Sequence, residues 1–337
     1  MTPGRPMLRI FFTADDIART RLATAPDPLW ELVLSVQMLR GQRGDLLFSG
    51  WRRETAAALR RSGLGVDLLL LMQLCPQLGY FPDFLNPAEA KRGLEHGLEA
   101  VRSTPQPILR RDMTYLMESK KRKGEPLSAR AGGIALGEPE ALATLTKTMR
   151  DYYHLAISPH ARVIERSVGQ DRASRLVAFT EGGVEGLLAS MHPMLHWEAG
   201  ELRVPQHRDQ EIHLSGRGLT LIPSYFCVNQ PMTMFDPDLP PVLIYPVPTS
   251  VETLAGIDGE RRNALASLIG CTRAAMLEAI GDGGSTTELA RRIGVSPAST
   301  SEHAAIMRSA QLISSRRDGN RMVHELTSLG LSLLNGS

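Results

Sequence analysis

Three arginines, Arg316, Arg317 and Arg321, crowd around an Asp318-Gly319 turn beside Asn320. Cations this close together attract phosphate even when the chain as a whole is nearly neutral. A little upstream, Ala298, Ser299 and Ser301 bring small and hydroxyl side chains next to the carboxylate of Glu302. Small residues let a helix sink into the major groove, and hydroxyls and a carboxylate pair with base edges or phosphates. The chemistry these residue types suggest is contact with double-stranded DNA.

Such side chains need elements to aim them, and each boundary of the surrounding stretch has a chemical cause. Ser285, with Glu288 three positions on, forms a capping box for a helix whose inner face is Leu289, Ala290 and Ile293. Gly294 supplies a turn. Ser296 is the next N-cap, and Pro297 takes the first helical position, where its missing N–H costs nothing. Thr300, Ala304 and Met307 then recur at helical spacing and face inward, which leaves Ala298, Ser299, Ser301, Glu302 and Ala305 outward. His303 falls at the edge of the inner face, where packing, phosphate contact and base reading all stay open. Strands at Ile313 to Ser315 and Met322 to Leu326 flank the Asp318-Gly319 turn as a β-hairpin. Thr286, Thr287, Ser296 and Arg308 complete the candidate DNA-contacting set with Ala298, Ser299, Ser301, Glu302, His303, Arg316, Arg317, Asn320 and Arg321.

The TTELARRIGVS helix and turn, the S-x-H of Ser301 to His303, the RRDGNR hairpin and the Leu326-Thr327 pair that opens a last helix together carry a resemblance. From about Leu265 to Leu334 the chain resembles the winged-helix domain of the ArsR family of bacterial regulators. The resemblance implies a winged helix-turn-helix and a DNA-binding transcriptional regulator, expected as a homodimeric repressor on an inverted-repeat operator, with a small non-metal molecule as a possible effector. It departs from the family in two places. The helix before the turn lacks the Cys-x-Cys of the metal sensors, so no thiolate site exists there. The last helix, Thr327 to Leu334, is short for a dimerisation helix, so the dimer contact is expected in the N-terminal region. That region, with GRGLTLIPSYF over 216–226, resembles an uncharacterised domain fused to such winged helices in actinobacterial regulators, and this second resemblance implies no activity.

The rest of the chain reads as α+β. A strand at Leu8 to Phe12 leads through a Thr13/Asp16 capping box into a helix towards Arg21, and a second helix spans Pro28 to Arg40. Tyr80 to Pro87 reads as a loop. Helical patterns follow at Ala88 to Val101, Ile108 to Glu118, Glu138 to Ile157 and Ala161 to Ser190, the last interrupted at Gly182 and Gly183. Lys120 to Lys123, the densest basic run, reads first as a solvated loop and second as a phosphate contact. Between Leu202 and Val247 the texture turns to β, with an expected small antiparallel sheet and a turn at Gly216 to Gly218. The expected organisation is a mostly helical N-terminal domain over 1–250 and the winged helix-turn-helix over 258–337.

Composition bounds the alternatives. With 337 residues, 42% hydrophobic and 22% charged, the chain has ordinary globular usage, and its net charge of +2 leaves any nucleic-acid argument to local pattern. No apolar run spans a bilayer, and a cytoplasmic protein with no membrane partner is expected. Cys75, Cys227 and Cys271 are dispersed and read as buried or free thiols. His192 and His196 lack the glutamate of HExxH, the glycine clusters lack a following Lys-Ser/Thr, and no metal, cofactor or enzyme activity is expected. The aromatics Trp30, Trp51, Tyr80, Phe81, Phe84, Tyr152 and Tyr153 read first as core and second as pocket lining. An enzyme with an appended winged helix and an architectural DNA binder are the competing readings. A methyltransferase would need a glycine-rich strand-loop-helix, and an architectural protein would bind random and operator DNA equally.

Overall fold

Alternation makes the first strand. In β1, Met7–Phe11, Leu8 and Ile10 are fully buried while Arg9 faces out and bonds Glu201 at 2.6 Å and Glu211 at 2.8 Å. Thr13 then caps α1, Ala14–Arg19, in the expected reciprocal box with Asp16. After β2, Arg21–Leu22, comes α2, Pro28–Arg40. It is buried from Leu29 through Val36 and therefore lies inside the helical layer instead of showing one wet face.

The computed structural model describes residues 6–40, 45–77, 79–125, 127–205, 207–228, 230–248, 265–266, 268–280, 284–293, 295–319 and 321–335, the side chains of 45–47, 49, 271, 318, 321 and 335 excepted. The helices that follow are α3, Asp45–Ser62; α4, Gly65–Leu74; α5, Leu94–Arg102; α6, Gln106–Lys121; α7, Ala131–Leu136; α8, Pro139–Ala156; and α9, Ala161–Ala189. Helix α9 leaves helical geometry at Gly182 and Gly183, the expected interruption. The Tyr80–Pro87 stretch contains a 3₁₀ turn at Asp83–Leu85 and is buried at Phe81, Phe84 and Leu85. Lys120 corrects the expectation of a solvated basic loop. It sits inside α6, only 4% exposed, and donates to Glu125 at 3.1 Å.

The β region also corrects its expectation. Strands β3, His196–Glu198; β4, Glu201–Pro205; β5, Gln210–His213; β6, Thr220–Ser224; and β7, Val242–Pro246 divide between two sheets. One sheet is mixed, in the order β3-β4-β1-β5, with β1 antiparallel to β4 and parallel to β5. The other, β2-β6-β7, is wholly parallel. The Gly216–Gly218 turn thus joins different sheets and closes no hairpin. Gly218 has φ +73°, its N–H reaches Asp16 at 2.8 Å, and a Cβ there would lie 2.6 Å from the Arg19 carbonyl oxygen. The parallel pairing has a physical reason in the side chains. Leu221, Ile222, Leu243, Ile244 and Tyr245 are buried consecutively, as strands covered on both faces require. Leu8, Ile10, Leu187, Leu188, Leu202, Leu221 and Leu243 form one core between these strands and the end of α9.

The chain divides into two units, Met1–Gly41 with Thr55–Thr249, and Gln42–Glu54 with Ser250–Ser337. Residues 42–54, expected within the N-terminal region, therefore group with the second unit, where Phe48 and Trp51 are fully buried and meet edge to face at 6.2 Å. The second unit continues with α10, Cys271–Ile280; β8, Gly284–Ser285; α11, Thr286–Ile293; α12, Pro297–Ser309; β9, Ile313–Asp318; β10, Arg321–Leu326; and α13, Ser328–Asn335. Leu265, Met276, Leu277, Leu289, Ala304, Met307 and Ile313 form its core. Among the described residues no helix is long and apolar enough to cross a membrane.

Candidate nucleic-acid interface

Two serines set the helices. The Ser285 N–H donates to Glu288 Oε2 at 2.9 Å and the Glu288 N–H donates to Ser285 Oγ at 3.4 Å, the reciprocal box expected at the start of α11. Ser285 also pairs as β8 with Val323 of β10, so the first turn of α11 is anchored to the hairpin. Leu289 and Ala290 are buried, and Arg292 donates to the Ala279 carbonyl of α10 at 3.1 Å. For α12, the Ser299 N–H donates to Ser296 Oγ at 3.1 Å and Pro297 occupies the first turn. Thr300, Ala304 and Met307 are buried as expected.

The outer face of α12 follows. Ala298, Ser301, Glu302 and Arg308 are exposed, and Ser299 and Ala305 are half-buried. Residues 298, 301, 305 and 308 lie along one stripe at helical spacing, with Glu302 beside it. Ile306, also exposed, adds an apolar flank that the sequence did not single out. His303 is half-buried, and its Nδ1 is buried without a hydrogen-bond partner among the described residues.

In the hairpin, β9 and β10 run antiparallel with Arg316 opposite Val323 and Arg317 opposite Met322. Adjacent residues on a strand point to opposite faces, so Arg316 and Arg317 diverge. Arg316 bonds Glu325 diagonally across the strands at 3.2 Å, and Arg317 Nε donates to the Gly319 carbonyl at 3.3 Å. Gly319, at φ +59°, adopts the left-handed conformation of the tight turn. Asn320 and the side chain of Arg321 lie outside the described residues. The structure therefore separates two of the clustered cations instead of pooling them.

One residue that sequence reasoning missed holds these parts together. His324, 2% exposed in β10, bonds Thr286 Oγ1 of α11 through Nε2 at 2.9 Å and Ser315 Oγ of β9 through Nδ1 at 2.8 Å. A neutral imidazole has one donor and one acceptor nitrogen, which suits two hydroxyl partners. Burial, and secondarily the nearby Arg308 charge, lower its pKa below the ordinary histidine value. The Thr286 hydroxyl is thus occupied inside the unit, while Thr287 is exposed. The signal was the alternation in β10, which turns His324 and Leu326 inward and Glu325 outward.

Elsewhere, Cys75 and Cys227 are buried, and burial pushes both thiols up. The side chain of Cys271 lies outside the described residues. The rings of His192 and His196 meet edge to face at 5.0 Å. Among the described residues no group of three or more His, Cys, Asp or Glu side chains could hold a metal ion. No protein-family model, curated protein or solved structure matches the chain.

Proposed function

We propose that this chain is a sequence-specific DNA-binding transcriptional regulator and that residues 284–335 work as a winged helix-turn-helix of ArsR type. The observation that carries the reading is α12. It is capped by Ser296, anchored inward by Thr300, Ala304 and Met307, and presents an outer stripe of small and hydroxyl side chains ending in Arg308. At about 1.5 Å per residue its 13 residues span about 20 Å, enough to lie along the major groove. In this reading Ser299, Ser301 and Glu302 face base edges, while Arg317 and Arg308 meet phosphates on either side. The protein acts in the cytoplasm as a homodimer on an inverted repeat, because two-fold protein symmetry imposes two-fold operator symmetry.

The test selects a site from random duplexes with the full chain, then measures affinity for that site and a scrambled duplex over a salt series. Glu302→Ala is expected to relax preference at one base pair per half-site by about 1–3 kcal/mol and to leave scrambled-DNA binding unchanged. Arg317→Ala is expected to weaken binding to both duplexes alike and to reduce the salt slope by about one. Equal affinity for selected and scrambled duplexes would leave an architectural binder, and no salt-dependent binding at all would end the DNA reading.

A further inference from the structure

Helix α9 begins with a stripe that does not close against its neighbours. Ala161, Ile164, Val168 and Arg172 recur along one face and line a cavity of about 260 Å³ within the N-terminal unit. The opposite walls are the Thr24–Pro28 approach to α2 and the end of α8 at Tyr153 and Ile157. Pro26, Ile157, Ile164 and Val168 give one side of the lining an apolar character. Its volume lies just under the roughly 300–1,000 Å³ of drug-sized ligand sites, which restricts an occupant to a small molecule.

The polar groups are few and unequal. Among the described residues, Arg172 Nε is buried with no hydrogen-bond partner, an arrangement native interiors seldom leave unexplained. The Nε edge of a guanidinium is one of the forks that receives a carboxylate through two parallel hydrogen bonds. Glu31 also lines the cavity, but its oxygens are turned to the Tyr225 and Phe226 N–H groups at 2.8 and 3.0 Å and to Ser224 Oγ at 3.1 Å. Burial pushes its carboxyl up to about 7, so near neutrality it carries a proton in part of the population. Glu165 is exposed, where solvent screens it. The Nε of Arg172 is thus, among the described residues, the polar atom of this lining left without a partner.

We propose that this cavity binds a small monocarboxylate with an apolar body, the carboxylate on the Arg172 guanidinium and the body against Pro26, Ile157, Ile164 and Val168. The site does not depend on the DNA-binding reading, because it is read by ligand binding with no nucleic acid present. Gly169 offers an independent handle on it. This exposed residue lines the cavity, and a Cβ built there meets nothing within 4 Å among the described residues, so a larger side chain is tolerated beside the cavity without displacing the core. Leucine also raises helix propensity at that position.

The experiment is calorimetric titration of the full chain with benzoate and with hexanoate, set against the neutral isosteres benzamide and hexanamide. The expected result is one site per chain for at least one acid, with affinity above its amide by about tenfold or more, the usual margin for a charge-assisted pair over a neutral one. Arg172→Gln is expected to remove that margin, and Gly169→Leu to abolish binding, both with an unchanged far-ultraviolet circular dichroism spectrum. Equal binding of acid and amide, or undiminished binding by both variants, overturns the proposal. So does the absence of any heat or ligand-observed magnetic resonance signal from either acid at millimolar concentration, which would make the cavity a water-filled cleft.

Discussion

At the scale of single residues, charge is sorted by partner. Arg316 and Arg317 are neighbours in sequence, yet one is matched by Glu325 and the other donates to a turn carbonyl. Exposed pairs of this kind add little stability, so the effect of Glu325 is felt in what Arg316 offers to solution. Under the DNA-binding reading, Glu325→Gln frees Arg316, and affinity for all duplexes is expected to rise with a steeper salt slope by up to about one. Arg316→Ala is expected to cost less affinity than Arg317→Ala. Anisotropy titrations at several salt concentrations check both; a Glu325→Gln variant that binds more weakly would show that the carboxylate positions the hairpin instead of masking a cation.

Elements are held by contacts that no local pattern announces. Helix α13 packs so closely on the link between α12 and β9 that a Cβ on Gly330 would clash with the Leu312 carbonyl oxygen, while Thr327 Oγ1 donates to the Gln311 carbonyl at 2.6 Å and accepts from the Gly330 N–H at 3.0 Å. Gly330→Ala is therefore expected to destabilise the C-terminal unit by at least about 2 kcal/mol, the scale of an overpacked core. Faster amide exchange over β9 and β10 is the measurement, and unchanged protection there would mean that α13 moves aside freely. What was legible in the sequence shares one property: it is short-range. The Thr13 and Ser285 boxes, the Ser296-Pro297 start and the Thr300, Ala304, Met307 face each depend on residues within one or two turns, and all are present. The sheet partners were not legible, because Leu8 of β1 pairs with Val204 and the β6–β7 pairing joins strands separated by a long connection. The same applies to the Thr286–His324 bond and to the cavity, whose walls come from α2, α8 and α9. The leucine-rich run of α4, Gly65–Leu74, reads as apolar without a period that would make it a helix.

Across the whole molecule, buried titratable groups give the two units opposite responses to pH. In the N-terminal unit, burial raises Glu31 to about 7 and Asp27 and Asp83 to about 6, in each case against backbone N–H donors that favour the anion. A carboxyl raised on folding binds its proton more tightly in the folded chain, so its contribution is present below the unfolded value and is lost as pH rises through the folded one. His207, lowered by burial, works in the other direction, one group against three. Asp16 is brought down to about 2 by Thr13 and Gly218 donors that outweigh its burial, and Glu201 to about 2 by Arg203 and Arg9, so both are silent until pH falls below about 4. In the C-terminal unit His324 has a lowered value, which means that the unfolded chain takes up the proton first and stability falls as pH drops through the ordinary histidine range. Moving from about pH 8 to about pH 5.5 is therefore expected to stabilise α2 and its surroundings by on the order of 1–3 kcal/mol and to destabilise the hairpin. Amide exchange corrected for its intrinsic pH dependence reads the two regions separately, over 28–36 and 313–326. Glu31→Gln should flatten the first slope and His324→Gln the second; if protection in both regions moves the same way, the buried acids are not the source of the pH response.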